Sequence, residues 1–249
     1  MAHDTAELLL KAHADRGQFP STGLSSPKDL AEVYRVQDLV YARLARGART
    51  VAWKVGGPGV ELEPAIAPIL PGRLLTSPAR VAAADFHVIG VEAEIAFRFV
   101  RDLRDDDPPQ EEIADAIGEA VVAIELCDSR LADWQSAPPL WKLADNQMNW
   151  GLVVGTGTAR WRQIDFKAQR AELWIGGEQR VAVRAAHPYG NPFRLMRWTT
   201  AHLAKRAGGL RAGDVVTTGS WGGMHFAGAR DEVVARFPGI GEAAVRISV

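Results

Sequence analysis

Two glutamates interrupt an otherwise apolar segment and constrain the fold more than any other feature of the chain. Glu92 and Glu94 lie two residues apart within residues 90–97, whose other members are apolar or glycine and predict a strand over 87–100. Side chains two apart on a strand project from the same face, so both carboxylates point the same way. Burying like charges side by side without a partner is unfavourable. The segment therefore predicts that a positive group lies between the two carboxylates.

A third carboxylate repeats this pattern in a second apolar run. Glu125 lies near the end of a predicted strand over 120–126. Hard divalent cations such as Mg²⁺ prefer a set of carboxylate oxygens, so the three glutamates predict a metal site. The alternative is a solvent-facing strand edge with hydrated carboxylates, because a lone pair of this kind is common. Apolar neighbours on both sides, and the recurrence at Glu125, favour the metal.

Lys54 is the second singular residue, because it interrupts a predicted strand over 50–55 immediately before a glycine-rich loop. One interpretation is a cation near a substrate carboxylate, or a proton carrier whose pKa is lowered by burial and by a metal. The other is a lysine at a strand end whose ammonium reaches solvent. The residues alone leave both interpretations open.

Other polar residues near these runs are weaker candidates. Asp145 and Asn146 follow a predicted helix, and they either line the same pocket or form an ordinary helix-end pair. Arg130 either pairs with a metal-bound carboxylate or holds an acidic neighbour in place, and the structural role is favoured. Cys127 is expected to be a small buried residue. His187 is the one histidine considered for a site, although a loop histidine without a defined partner is usually structural.

Composition excludes several classes of function. The chain has 249 residues, 47% hydrophobic and 24% charged, which is ordinary for a globular protein. A net charge of −1 gives no basic field for nucleic acid or an anionic membrane. The single cysteine rules out an internal disulfide and suits a reducing compartment, so a cytoplasmic protein is expected. No stretch approaches a transmembrane helix in length, and no nucleotide-binding or serine-hydrolase motif is present.

The order of predicted elements indicates one α+β domain. Helices are predicted over 5–16 and 28–46, the second begun by Ser26 and Pro27 and ended by Gly47. The second half is richer in strands and includes a hairpin around 177–179. We predict a single catalytic domain over 1–249, with a helical N-terminal portion and loops over 1–80 and a β-rich metal-binding core over 81–249.

Five short pieces, taken in order, resemble the 2-keto-4-pentenoate hydratase and 4-oxalocrotonate decarboxylase family within the fumarylacetoacetate hydrolase superfamily. They span nearly the whole chain. The pieces are residues 53–56, 91–97, 124–130, 144–146 and 210–220. The resemblance implies a β-rich roll or distorted barrel of mixed sheets with peripheral helices, and a homo-oligomer.

The same resemblance implies the site. Mg²⁺ or Mn²⁺ would be held by Glu92, Glu94 and Glu125. Catalysis would involve Lys54 and Glu92. Substrate binding is expected at Lys54, Asp145, Asn146 and Ser220.

The chain also departs from the family pattern between the lysine and the paired glutamates. Hydratases of the family often carry an acidic residue there in a Pro-Asp-x-Gly stretch, whereas this chain has Ala65 at the acidic position and Ala67 at the glycine position. One acid/base group is then missing, unless Glu61 or Glu63 replaces it. Otherwise the substrate or the reaction differs.

The implied chemistry is that of a lyase acting on a small 2-oxo acid through a metal-stabilised enolate. We predict a hydratase of a 2-oxo-alkenoic acid, of the 2-hydroxypenta-2,4-dienoate type, from aromatic compound degradation. The alternatives are a decarboxylase of the 4-oxalocrotonate type and a C–C hydrolase of acylpyruvates. A further alternative is a catalytically impaired partner subunit, since related hydratases and decarboxylases associate with each other.

Overall fold

The computed structural model describes residues 2–57 and 59–249, which form two β-sheets with helices around them. The helices are α1 (Ala2–Asp15), α2 (Leu30–Ala45), α3 (Gln110–Ala116), α4 (Pro139–Ala144) and α5 (Arg194–Ala207). The strands are β1 (Ala52–Gly56), β2 (Ala65–Pro68), β3 (Leu74–Thr76), β4 (Ala79–Ala82), β5 (Gly90–Phe99), β6 (Ile117–Cys127), β7 (Asn149–Thr158), β8 (Arg170–Ile175), β9 (Glu178–Arg184), β10 (Val215–Ser220), β11 (His225–Phe226), β12 (Glu232–Phe237) and β13 (Gly241–Ser248). The predicted α+β roll of mixed sheets with peripheral helices is confirmed.

The larger sheet places the sequence motifs side by side. Its strand order is β2-β1-β10-β5-β6-β7-β3, and β11 pairs with β5. β5 and β6 are antiparallel along nearly their whole length, β1 is parallel to β10, and β3 is parallel to β7. The smaller sheet has the order β4-β13-β12-β8-β9. The strands that carry Lys54, the paired glutamates and Glu125 therefore lie within four adjacent positions of one sheet.

Alternation along β5 separates the core from the polar face. Val91, Ala93, Ile95 and Phe97 belong to the main core, which also contains Leu173 and other buried residues of the smaller sheet. The residues between them, including Glu92 and Glu94, project from the opposite face. On that face a smaller apolar cluster, centred on β5, β6 and β7, adjoins the carboxylates. The apolar side of the strand is thus covered by the second sheet, and the carboxylate side is left to form a site.

Helix α2 begins later than the sequence predicts. The cap is Asp29, whose Oδ1 accepts a hydrogen bond of 2.8 Å from the backbone N–H of Glu32. The Glu32 carboxylate in turn accepts from the backbone N–H of Lys28 at 2.9 Å. These two reciprocal bonds satisfy N–H groups at the helix start, so Ser26 and Pro27 lie before the helix. The predicted end is close to the observed one, because Arg46 adopts a left-handed conformation after the last turn.

Strands from both sides of residue 80 pair with each other. β1, β2 and β3 belong to the first 76 residues but lie in the larger sheet, and β4 pairs in parallel with β13. We therefore propose a single domain over 1–249, in which the helices of the predicted N-terminal portion are α1 and α2 and its remaining strands join both sheets. No helix among residues 2–57 and 59–249 is long and apolar enough to cross a membrane.

Candidate metal and substrate site

The three predicted carboxylates lie on one face of β5 and β6. Glu92 is paired directly with Glu125 across the two strands, and Glu94 lies one pair further along the same face. Glu94 and Glu125 are completely buried, whereas Glu92 is partly accessible from a cavity. Burial raises the pKa of Glu92 to about 7, with Lys54 lowering it and Glu125 raising it further. Strand alternation along β5 and the register of the β5–β6 pair therefore bring together the three side chains that the sequence singled out.

Glu94 is held by β10. Its Oε2 accepts a short hydrogen bond from the hydroxyl of Thr217 and one of 3.0 Å from the backbone N–H of Gly219. The pairing of β10 with β5 is irregular between Thr217 and Ser220, and Gly219 has a φ of 97°, which favours glycine. Burial, and then the charges of Glu125 and Glu92, raise the pKa of Glu94 well above its ordinary value. Its Oε1 is buried without a hydrogen-bond partner among the described residues.

Lys54 supplies the positive charge that the carboxylates require. It lies on β1 opposite Thr217, and its Nζ is 2.7 Å from Glu125 Oε1 and donates to the carbonyl of Gln147 at 3.1 Å. Burial lowers the pKa of Lys54, but Glu125, and more weakly Cys127, Glu92 and Glu94, raise it above its ordinary value. The protein's own groups therefore do not favour a proton carrier with a lowered pKa. The adjacent carboxylates hold Lys54 as an ammonium.

Asn149 is a site residue that the sequence analysis missed. It opens β7 next to Cys127, and its Nδ2 donates to Glu125 Oε1 at 2.9 Å. The other Glu125 oxygen, Oε2, is buried without a hydrogen-bond partner in the described part of the chain. A polar residue at the first position of an apolar strand was the available signal. Asn149 and Lys54 together fix one Glu125 oxygen and leave the other free.

The turn between α4 and β7 aims a carbonyl at Lys54. Asn146, Gln147 and Met148 have φ values of 55°, 54° and 60°, so three successive residues other than glycine are left-handed. Each such residue is disfavoured by about 1–2 kcal/mol. The Asn146 side chain anchors the turn by donating to the carbonyl of Pro68 at 2.8 Å. Strain of this kind persists only where surrounding contacts enforce it, and here it positions the Gln147 carbonyl.

Asp145 takes part in a buried structural network. Its Oδ1 accepts from Arg130 Nε at 2.5 Å, and its Oδ2 accepts from the Ser129 hydroxyl and from the Arg130 backbone N–H, both at 2.9 Å. Burial raises the pKa of Asp145, although Arg130 opposes this. Asp145 does not line the cavity beside the glutamates, and neither does Asn146. Arg130 has the structural role that the sequence favoured.

A cavity of about 680 Å³ opens beside the glutamates. Lys54, Glu92 and Ser220 line it, as do Glu63 just before β2 and Ala65 at the start of β2. Its apolar wall comes from α2, α4, the 146–148 turn, β9 with the loop that follows it, and the loop between β10 and β11. That wall includes Leu30, Leu143, Met148, Val183, Pro188 and Trp221. One end therefore carries charge and the rest suits an apolar chain, as small-molecule sites commonly do.

The carboxylate group suits a divalent cation. Ligand atoms of Glu92, Glu125 and Cys127 lie within 4.8 Å of one another. Cys127 completes this group in place of the predicted Glu94, because Glu94 Oε2 is turned towards Thr217 and Gly219. Burial raises the pKa of the Cys127 thiol well above its ordinary value, which makes it a poor ligand for a hard cation. The unpartnered oxygens of Glu94 and Glu125 are the better donors.

His187 has a structural role. Its Nε2 lies 2.8 Å from the carbonyl of Thr218, and its Nδ1 accepts from the backbone N–H of Tyr189 at 3.3 Å. These contacts define a neutral ring that donates from Nε2. Burial lowers the pKa of His187 to about 4, with the Thr218 contact opposing this.

The buried neutral state of His187 predicts an acid-sensitive stability. The unfolded pKa is 6.5 and the folded pKa is about 4, so protonation favours the unfolded chain as the pH falls through this window. Between pH 7 and pH 5 this one group is expected to lower the free energy of unfolding by about 2 kcal/mol. The measurement is urea denaturation at both values for the wild type and His187→Gln, whose amide still donates. Equal losses in the two proteins would contradict the assignment.

A family model described as fumarylacetoacetate (FAA) hydrolase C-terminal matches residues 48–248. The chain belongs to this family. The matched region includes Lys54 and all three glutamates, so the family relationship covers the whole candidate site, and the sequence-based resemblance is confirmed at this level.

Curated relatives extend the comparison over the full length. A "TodF product hydratase" from Pseudomonas putida is 31% identical over 248 residues, covering 95% of this chain and 91% of that protein. A "2-keto-4-pentenoate hydratase" from Paraburkholderia phymatum is 31% identical over 206 residues, covering 80% and 78%. Another, from Burkholderia vietnamiensis, is 34% identical over 151 residues, and the chain spans only 57% of its length.

Solved structures share the fold. A 4-oxalocrotonate decarboxylase from Pseudomonas putida G7, complexed with magnesium and adipate, superposes with a TM-score of 0.87 at 20% identity, covering 99% of this chain and 97% of that one. The same enzyme complexed with calcium and acetate gives 0.85 at 21% identity, covering 99% and 96%. Those decarboxylase structures thus hold a divalent cation and a carboxylate ligand.

Proposed function

We propose that the protein is a metal-dependent lyase that adds water to a 2-oxo-alkenoic acid of the 2-hydroxypenta-2,4-dienoate type. The observation that carries the proposal is the pairing of Glu92 with Glu125, with Lys54 against Glu125, at the charged end of a cavity whose wall is apolar. The hydratase names of the curated relatives support the same reaction class.

The proposed cofactor is Mg²⁺ or Mn²⁺, held by Glu92, Glu94 and Glu125. Three carboxylates meet one ammonium, and Glu94 Oε1 and Glu125 Oε2 have no hydrogen-bond partner in the described residues, so the site has both charge and donor atoms for a cation. When bound, such a cation supplies Lewis-acid stabilisation of negative charge on the substrate's 2-oxo oxygen. The protein's part is to fix these oxygens on two rigid strands.

Lys54 is assigned to the substrate's carboxylate. An ammonium has three donors, and Glu125 and the Gln147 carbonyl engage two of them. The third is available in the cavity that Lys54 lines. The Ser220 hydroxyl donates to the Gly223 carbonyl at 3.1 Å and also lines the cavity, so Ser220 stays a predicted substrate contact. The apolar wall then accommodates the hydrocarbon end.

The experiment that tests this function follows the ultraviolet absorbance of the conjugated substrate. Purified protein with Mg²⁺ is mixed with 2-hydroxypenta-2,4-dienoate and with its longer analogues. Hydration removes the conjugation, so the absorbance is expected to fall with protein concentration. Unchanged absorbance for every analogue would contradict the hydratase proposal.

Glu63 is proposed as the group that exchanges a proton with the substrate. Hydration moves protons to and from carbon, and Glu63 and Glu92 are the carboxylates among the described residues that line the cavity. Glu92 is assigned to the metal, which leaves Glu63. Its Oε1 accepts from Trp198 Nε1 at 3.2 Å, which orients the carboxylate beside Ala65. Glu63 thereby occupies the wall where the family pattern expects an acid.

We expect Glu63→Gln to lower kcat by about 100-fold with a smaller effect on KM, because general acid–base groups contribute roughly that much. Glu61→Gln is the matched control, since Glu61 is exposed like Glu63, lies two residues earlier and does not line the cavity. Adding Ala65→Asp to the Glu63→Gln variant should restore part of the rate. An unchanged kcat in Glu63→Gln would exclude this role.

A decarboxylase of the 4-oxalocrotonate type is the second candidate function. Lys142 lines the cavity and forms no salt bridge with the described residues, so a second cation is available for a substrate with a distal carboxylate. Release of CO₂ from a 2-oxo dicarboxylic acid would favour this function over hydration. A C–C hydrolase is less well supported, because it needs a general base such as histidine, and no histidine among the described residues lines the cavity.

The oligomeric state, the compartment and the protein partners are also proposals. We propose that the protein is a homo-oligomer, which light scattering would test, and that it acts in the cytoplasm, which cell fractionation would test. Association with a related hydratase or decarboxylase is proposed on the resemblance alone. A catalytically impaired partner subunit would bind the metal but turn over no 2-oxo acid on a broad panel.

A further inference from the structure

A second cavity, of about 230 Å³, lies between the C-terminal end of α1 and the sheet edge formed by β3 and β7. Three arginines line it: Arg16, Arg73 and Arg130. It also adjoins the metal site, because Asn149 lines it and donates to Glu125. The proposed lyase reaction does not use this cavity.

Two of the three guanidinium groups have a carboxylate partner. Arg130 Nε is 2.5 Å from Asp145, and Arg16 Nη2 is 3.5 Å from Asp85. The remaining carboxylate of the cavity, Asp128, accepts from the backbone N–H groups of His87 and Val88 at 3.0 and 2.9 Å, and its other oxygen is 3.3 Å from His87 Nδ1. Arg73 forms no salt bridge in the described part of the chain. One guanidinium group in the cavity therefore has no carboxylate in direct contact, although the charges of Asp85 and Asp128 act on it from further away.

The Arg73 side chain is held in place with donors unused. Its guanidinium carbon lies 3.5 Å from the centre of the Trp150 ring, and Trp150 stacks on Phe86 at 4.4 Å. Arg73 Nη1 is buried without a hydrogen-bond partner among the described residues. A buried charged donor without a partner is strongly unfavourable, so an acceptor is expected beside it. No group among residues 2–57 and 59–249 fills that position.

The neighbouring histidine adds no positive charge to the cavity. His13 lines the same cavity, and burial, followed by the charges of Arg130 and Arg73, lowers the pKa of His13 to about 3. The ring is therefore neutral at physiological pH. The fixed charges that line the cavity are the three arginines and the carboxylates of Asp85 and Asp128.

We propose that this cavity binds a small oxyanion, a carboxylate or a phosphate, through the guanidinium group of Arg73. The planar fork of a guanidinium matches the paired oxygens of both anions, and charge-assisted hydrogen bonds of this kind are strong. Stacking on Trp150 holds the Arg73 guanidinium group in place before the anion binds. Less side-chain entropy is therefore lost on binding. The site is separate from the metal-binding carboxylates, so its occupancy does not depend on the proposed lyase activity.

The test is calorimetric titration of the Mg²⁺-loaded protein with sodium acetate and, separately, with sodium phosphate at constant ionic strength. Arg73→Gln is expected to weaken binding by at least about tenfold, the effect of losing one charged hydrogen bond. Arg80→Gln is the matched control, because Arg80 is exposed on neighbouring β4. Glu92→Gln should retain binding, which separates this site from anions that bind at the metal centre. The anion that binds with the higher affinity, acetate or phosphate, identifies the anion class.

Three outcomes would overturn the proposal: no binding of either anion, equal affinity in the wild type and Arg73→Gln, or binding lost in Glu92→Gln alone. Arg73→Gln could disturb folding through Trp150, so crystals of the wild-type protein soaked in selenate give a second measurement. An anomalous peak beside the Arg73 guanidinium is expected. A map without a peak in this cavity would contradict the site independently of any variant.

Discussion

Replacing Glu92 with glutamine is expected to lower kcat/KM by about a thousandfold. Glu92 is the proposed metal ligand that faces the cavity, and it lies directly opposite Glu125. An amide at this position removes one negative charge and one strong oxygen donor from the site. Lewis-acid stabilisation supplies several kcal/mol, and each factor of ten in rate corresponds to about 1.4 kcal/mol. The fall should therefore appear mainly in kcat, together with weaker Mg²⁺ binding.

The measurement pairs substrate turnover with calorimetric titration of Mg²⁺ into the metal-free protein. Glu119→Gln is the matched control, since Glu119 lies on the same strand as Glu125 but is partly exposed and paired with Arg98. Turnover and Mg²⁺ affinity should be unchanged in this control. Full activity in Glu92→Gln would contradict the assignment of Glu92 as a metal ligand. Retained metal binding in the wild type with no turnover of any 2-oxo acid would instead favour the impaired partner subunit.

The carboxylate face was predictable because it depends on strand alternation and on the pairing of two neighbouring apolar strands. Glu92 and Glu94 had to project together once residues 90–97 were taken as a strand, and Glu125 had to share a face with them if the second run was its neighbour. Both conditions hold in the structure. The core was predictable for the same reason, since the alternate residues Ala93 and Ile95 are apolar and face the second sheet.

The rest of the site depends on contacts between distant parts of the chain. Gln147 contributes a carbonyl rather than a side chain, and it does so from a left-handed turn that sequence patterns do not specify. Asn149 reaches Glu125 only because β7 pairs with β6. Asp145 was expected in the pocket because it follows α4, but Arg130 of the preceding loop holds it elsewhere. Local patterns do not reveal whether a polar residue after a helix faces a cavity or binds a buried partner.

The direction of the Lys54 pKa shift illustrates the same limit. From the sequence, burial and a nearby metal suggested a lowered pKa, since a charged group is less stable in an apolar strand and beside a like charge. The structure adds the 2.7 Å contact with Glu125, which outweighs burial. Whether a buried lysine titrates near neutrality therefore depends on its partners, and these come from a strand more than 60 residues away in the sequence.

Replacing Lys54 with methionine is expected to destabilise the metal-free protein by about 3 kcal/mol, the usual consequence of breaking a buried ion pair. Without the ammonium, Glu125 and its neighbouring carboxylates have no positive charge beside them. Part of the resulting destabilisation is relieved because these carboxylates take up protons. Mg²⁺ should then stabilise the variant more than it stabilises the wild type at the same concentration, because the Lys54 ammonium no longer repels the bound cation. Activity should still fall by about 10- to 100-fold, since the substrate carboxylate loses its charged donor.

Denaturant unfolding in EDTA and in Mg²⁺ measures both effects, and Lys142→Met is the matched control. Lys142 lines the same cavity but forms no salt bridge with the described residues. The free energy of unfolding of Lys142→Met should therefore differ from that of the wild type by no more than about 0.5 kcal/mol. If Mg²⁺ stabilised Lys54→Met no more than the wild type, Lys54 and the metal would not share the same carboxylates. If both effects appear, the ammonium serves as the counter-charge that keeps a three-carboxylate site folded before the metal binds.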